Sequence, residues 1–96
     1  MRRESINLKY VRDNKVSNCL GPVWKTGGRL IIEDNRIILR TWFKSITFDI
    51  DCHIIRQPKE ELLRGVIVNI SDDDYDYSVK LSPRNYDKLL SLTKKK

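Results

Sequence analysis

The dipeptide Asp-Asn occurs twice, at Asp13-Asn14 and Asp34-Asn35, each time followed by a basic residue and flanked by runs rich in Ile, Leu and Val. Asp and Asn tolerate the left-handed dihedrals that tight hairpin turns need, so each pair predicts an antiparallel hairpin. The second is the more constraining. A two-residue turn at Asp34-Asn35 sets Arg29 opposite Arg40 and Ile31 opposite Ile38 on one face. On the other face it sets Leu30 opposite Leu39 and Ile32 opposite Ile37. A uniformly aliphatic face must be the buried one, and the side-chain period of two then fixes the register. The chain contains no Ala, the best helix former, while β-branched residues are abundant, which tilts the whole toward strands.

Further hairpins follow from the same reasoning. Residues 5–11 alternate through Ile6, Leu8 and Tyr10 and are expected to pair with 16–20, placing Leu8 opposite Cys19. Gly21-Pro22 ends that hairpin, since Pro22 has no N–H for a ladder. Residues 23–26 read as a short extended stretch before a turn at Gly27-Gly28. A third strand at 46–51 folds back around Lys44-Ser45, placing Phe43 by Ile46, Thr41 by Phe48, Leu39 by Ile50 and Arg40 by Asp49. Residues 52–57 extend it past a bulge, and Pro58-Lys59-Glu60-Glu61 is a polar loop or short helical turn. A last hairpin turns at Asp72-Asp73, with Val66, Val68 and Ile70 facing Val79, Tyr77 and Tyr75. Ser82 as N-cap and Pro83 at the first helical position open a C-terminal helix over 83–93. Tyr86, Leu89, Leu90 and Thr93 form its inward stripe, and Lys94–Lys96 suit the negative end of its dipole. The expected fold is mainly β: one domain over residues 1–96, with about seven antiparallel strands in a barrel or two-sheet sandwich capped by the helix.

The formal net charge is +6, and it is unevenly placed. Residues 1–48 hold ten Lys/Arg and four Asp/Glu, whereas residues 49–96 hold nine of each. A basic first half suits an anionic partner; the simpler explanation is that the charge only keeps the chain soluble. The two Cys are too few for a disulfide scaffold. Met1-Arg2-Arg3 is followed by Glu4, Asn7, Lys9 and Arg12 rather than by an apolar signal-peptide core. No stretch approaches the roughly 20 apolar residues of a membrane span. A cytoplasmic location with Cys19 and Cys52 as thiols is expected.

The strand count with a terminal helix resembles the pleckstrin-homology-like superfold, including GRAM domains and small bacterial PH-like domains. The local likeness lies in Gly28-Arg29-Leu30-Ile31-Ile32-Glu33-Asp34-Asn35-Arg36-Ile37-Ile38-Leu39, similar to the segment of those families that runs glycine, apolar strand, polar turn, Arg-led apolar strand. The superfold's usual phosphoinositide signature, spaced basic residues across the first hairpin, is only loosely echoed by Lys9, Arg12 and Lys15. The resemblance implies a non-enzymatic binding module for an anionic lipid headgroup or a protein partner.

No nucleophile–base or metal-ligand constellation is legible, so neither catalysis nor a cofactor is expected. His53 is the sole histidine and is read as an ordinary strand residue, pointing away from its neighbour Cys52. Asp72, Asp73, Asp74 and Asp76 lack the spacing of a calcium loop and read as a solvated turn. The candidate binding residues are Arg29, Arg36, Arg40 and Trp42, on the outer face of the second hairpin with Ile31 and Ile38. Two Arg directly opposite one another repel unless something offsets them. Asp49 beside Arg40 and Glu33 beside Arg36 would do so internally; otherwise a bound anion would. The alternative function is a small basic barrel that binds nucleic acid through Trp24, Trp42, Arg29 and Arg40. A homo-oligomer built on an exposed sheet edge is a third option.

Overall fold

A computed structural model of the chain describes residues 3–15, 24–42, 44–61 and 65–93. Among these residues nine strands form two antiparallel sheets, followed by one C-terminal helix. The strands are β1 (Arg3–Asn7), β2 (Tyr10–Asp13), β3 (Lys25–Thr26), β4 (Arg29–Glu33), β5 (Arg36–Arg40), β6 (Ser45–Asp49), β7 (His53–Arg56), β8 (Val66–Ser71) and β9 (Asp76–Leu81); the helix α1 is Pro83–Thr93. One sheet has the order β1-β4-β5-β6 and the other β3-β2-β9-β8-β7. They face each other across a core that includes Phe48, Ile6, Leu30, Ile32, Ile37, Leu39, Val68, Ile70, Val79 and Leu81. Among the described residues this is a two-sheet arrangement and not a closed barrel.

The count of nine exceeds the expected seven mainly because extended segments change sheet. Residues 5–11 are not one strand. The chain breaks at Leu8-Lys9, where Leu8 N–H donates to Gly28 C=O at 3.0 Å and Lys9 N–H donates to Lys80 C=O at 2.7 Å. β1 then pairs with β4, while β2 pairs with β3 and β9. Segment 52–57 is likewise a separate strand, not an extension of β6. Cys52 N–H closes a turn on Asp49 C=O at 3.0 Å, and β7 joins the second sheet beside β8. The proposed partner strand 16–20, with Cys19, lies outside the described residues, as do Gly21-Pro22, Val23, Phe43 and Lys94–Lys96.

The β4–β5 register is as the turn chemistry requires: Arg29 opposite Arg40, Leu30 opposite Leu39, Ile31 opposite Ile38 and Ile32 opposite Ile37. Two other registers differ from expectation. β5 and β6 pair Leu39 with Ile46, Ile37 with Phe48, Arg36 with Asp49 and Arg40 with Ser45, a shift of four residues. The loop is longer than a Lys-Ser turn: Thr41 N–H donates to Lys44 C=O at 2.9 Å, and Lys44 N–H donates to Thr41 Oγ1 at 3.3 Å. In the last hairpin Val68 faces Val79 and Ile70 faces Tyr77, a shift of two. Its turn is Asp73-Asp74, held by Asp72 Oδ1, which accepts from Asp74 N–H at 2.8 Å and Tyr75 N–H at 2.7 Å. Even shifts keep every side chain on its face, so the aliphatic pattern tolerates both.

Helix α1 opens with Asn85 N–H donating to Ser82 Oγ at 3.2 Å, the expected cap. Leu89 is fully buried, with Tyr86 and Leu92 packed against the core. Leu90 departs from the expected stripe: it is 44% exposed, and Leu92, two residues further on, takes the inward place.

Gly27 and Gly28 carry the chain from β3 into β4 and thus between sheets, both at positive φ (86° and 116°). A Cβ on Gly28 would lie 3.0 Å from Val11 Cγ2 and 3.3 Å from Arg40 C=O. Left-handed backbone and a near backbone oxygen leave no room to relax. Gly28→Ala should therefore cost about 1–3 kcal/mol, read from urea unfolding; an unchanged midpoint would show that this crossing is not as tight as described.

Candidate anion-binding depression

The outer face of the first sheet is best understood as three rows running across its strands. The first is Arg3–Glu33–Arg36–Asp49, in which charges alternate. Arg36 binds the Glu33 carboxylate directly, and Arg3 Nε approaches the same carboxylate at 3.9 Å. The second is Ser5–Ile31–Ile38–Thr47. Ile31 is buried at 4% exposure and Ile38 is half-buried. The third is Asn7–Arg29–Arg40–Ser45. It contains two guanidinium groups and no carboxylate.

The expected Arg40–Asp49 pair is thus corrected. The longer Thr41–Lys44 loop moves Asp49 down to Arg36 and leaves Arg40 beside Ser45 and Arg29. Arg29 and Arg40 are both exposed, and neither forms an ion pair among the described residues. They line an open depression of about 480 Å³ together with Gly27, Gly28, Thr41 and Trp42. Trp42 stands 82% exposed on the β5–β6 loop. Its indole lies against Gly27, where a Cβ would come within 2.7 Å of Nε1. Arg29, Arg40 and Trp42 come together here. Arg36 does not line this depression; it is neutralised in the first row.

Trp24, grouped in the sequence with Trp42 as a base-stacking candidate, has another role. Arg12 Cζ lies 4.6 Å from the Trp24 ring centroid. Arg12 also donates to Ser78 Oγ at 3.3 Å and to Asn14 Oδ1 at 2.7 Å. Asn14 Nδ2 donates to Ser78 Oγ at 2.8 Å and to Asp76 Oδ1 at 2.9 Å. Trp24 therefore sits on a polar network on the second sheet, away from the depression.

The loop carrying Trp42 is anchored by residues distant in sequence. Lys44 Nζ reaches Asp13 Oδ2 at 3.5 Å and lies 5.5 Å from the Tyr77 ring centroid. The partners are 31 and 33 residues away and belong to the other sheet, so no local pattern could reveal them. The hydrogen bond to Tyr77 raises the Lys44 pKa above its ordinary value, with Asp13 adding to it. Burial alone would push the Asp13 carboxyl up. The Lys15 N–H, the Tyr77 hydroxyl and the Lys44 charge outweigh burial, and the net shift is downward. Glu61 is also lowered, chiefly by its hydrogen bonds from Arg56 at 2.9 and 3.0 Å.

A carboxylate whose folded pKa is depressed stabilises the fold above its unfolded pKa and loses that effect as pH falls through the folded value. Urea midpoints should hold at neutral pH and decline below about pH 5, with a shallower decline in Asp13→Asn. An equally steep decline in that variant would remove Asp13 from the explanation.

A second, acidic corner is lined by Asp49, Asp51, Cys52, His53, Asp72 and Asp73. Among the described residues no three His, Cys, Asp or Glu side chains are grouped so as to hold a metal ion, and no helix is long and apolar enough to cross a membrane. Neither the family models nor the curated proteins searched contain a match to this sequence.

Proposed function

We propose that the chain is a non-enzymatic, PH-like binding module of the cytoplasm that holds an anionic headgroup at Arg29 and Arg40. The observation carrying this reading is the Asn7–Arg29–Arg40–Ser45 row, where two opposed cations have no carboxylate although the charged row four residues along β5 is fully alternating. Like charges directly opposite across a ladder are destabilising, and a bound phosphate offsets them through charge-assisted hydrogen bonds from two forked donors. Two antiparallel sheets with a terminal helix are also what a PH-like module is expected to have.

Nucleic acid is the second reading, favoured by one observation: Trp42 is exposed beside Arg40, where a base could stack. Titration of anionic vesicles, neutral vesicles and a single-stranded oligonucleotide at two salt concentrations separates the readings. The headgroup reading expects binding to anionic vesicles that weakens with salt and is lost in the Arg29→Gln, Arg40→Gln double variant. Trp42→Ala should then change little, whereas a base-stacking site would lose about 1–3 kcal/mol. No binding to either probe at low salt would reject both and leave a protein partner.

A further inference from the structure

The acidic corner adjoins a feature of different character. Between β7 and α1 runs a groove of about 620 Å³ lined by Ile50, Cys52, Ile54, Asp87 and Leu90, among others. Cys52 belongs to both the groove and the acidic corner, so the two adjoin. Arg56 Cζ stacks 5.3 Å from the Tyr86 ring centroid and ties the helix to the strand. The groove thus has the carboxylates of the acidic corner beside it at Cys52.

Among the described residues β7 is the last strand of its sheet, paired with β8 alone, and an edge strand presents unpaired N–H and C=O groups. The other edges are blunted or unsuited. β1 is covered by the helix, since Asn85 Nδ2 donates to Asn7 C=O at 3.1 Å and Lys88 Nζ donates to Ser5 C=O at 3.4 Å. β3 is two residues long, and β6 turns its two apolar side chains, Ile46 and Phe48, into the core. Among the described residues nothing covers β7: Ile55 is 54% exposed on one side with His53, and Ile54 lines the groove on the other.

We propose that β7 and this groove dock an extended protein segment in which apolar residues are interleaved with Lys or Arg. The segment adds a strand to β7 through main-chain hydrogen bonds, and its apolar side chains enter the groove against Ile50, Ile54 and Leu90. Its cations meet the carboxylates beside Cys52. Charge complementarity selects this occupant. Asp49, Asp72 and Asp73 form no ion pair among the described residues, and Asp87 lies in the groove wall itself. The site is distinct from the Arg29–Arg40 depression and favours the opposite charge, so each can fail without the other.

The test uses three fluorescein-labelled ten-residue peptides: alternating Val/Lys, alternating Val/Glu, and the Val/Lys peptide with one central Pro. The Val/Lys peptide should bind and shift the amide resonances of His53, Ile54 and Ile55. The Glu and Pro versions should bind at least about tenfold more weakly, the first by repulsion and the second by losing ladder donors. Leu90→Glu should weaken Val/Lys binding about tenfold or more; the side chain is half out in solvent, and a thermal melt checks that the fold is kept. Asp49→Asn with Asp73→Asn should weaken it about threefold or more and flatten its salt dependence. Equal binding of the Pro peptide, shifts confined to the Arg29–Arg40 side, or no effect of Leu90→Glu would overturn the proposal. So would concentration-dependent self-association abolished by Leu90→Glu without peptide binding, which would make a second copy the occupant.

Discussion

Leu89→Ala should lower the unfolding free energy by about 2–5 kcal/mol, and its neighbour Leu90→Ala by less than about 0.5 kcal/mol. The two residues are chemically identical and adjacent, and the helix alone separates them. One residue is about 100° of helical rotation, which turns Leu89 into the core at 0% exposure and Leu90 outward at 44%. Removing Leu89 leaves a cavity among side chains that include Tyr86, Leu92 and the inner faces of both sheets. Removing Leu90 only widens a groove already open to water. Urea melts of the two variants measure this directly. Similar losses for both, of either size, would mean that the helix docks with a different rotation.

That pair also shows where the sequence falls short. Tyr86, Leu89, Leu90 and Thr93 satisfy helical periodicity as well as Tyr86, Leu89 and Leu92 do, and nothing local separates the two stripes. The hairpin at Asp34-Asn35 was legible because two independent constraints agree: the turn residues fix the loop length, and the aliphatic pairs fix the face. Across Thr41–Lys44 only the second applies. A slip of four residues leaves Ile46 and Phe48 inside, so the pattern cannot resist it, and with the slip went the identity of the partner of Arg40. The break at Leu8-Lys9 did leave a trace. Ile6 and Leu8 point inward, and with strict alternation Tyr10 would follow, yet Val11 is the buried residue and Tyr10 is 39% exposed. A change of parity between Leu8 and Val11 is the mark of a strand crossing from one sheet to the other.

Of the four candidate residues, three line one depression and Arg36 lies apart from it. Arg29, Arg40 and Trp42 meet because hairpin register and a single loop bring them together. Arg36 shares their face but is drawn to Glu33. The feature that gives the site its character, a row without a carboxylate, depends on pairing across four strands, including β1 at the far end of the chain. Spacing along the sequence does not encode it.

On the proposed function, Arg29 and Arg40 are held opposite each other for a ligand, at a cost to the unliganded fold. Stability and binding should then respond in opposite senses. Replacing Arg29 by Gln removes the cross-strand repulsion, so Arg29→Gln should leave the unliganded chain as stable as before or more stable by up to about 1 kcal/mol. The same variant should lose most of its affinity for anionic vesicles at low salt. Arg36→Gln, which breaks the neutralised row, should do the reverse: slightly lower stability and unchanged vesicle binding. Urea unfolding and vesicle titration of these two variants beside the parent chain decide the matter. Arg29→Gln that destabilises the unliganded fold, or that binds vesicles as the parent does, would contradict the account.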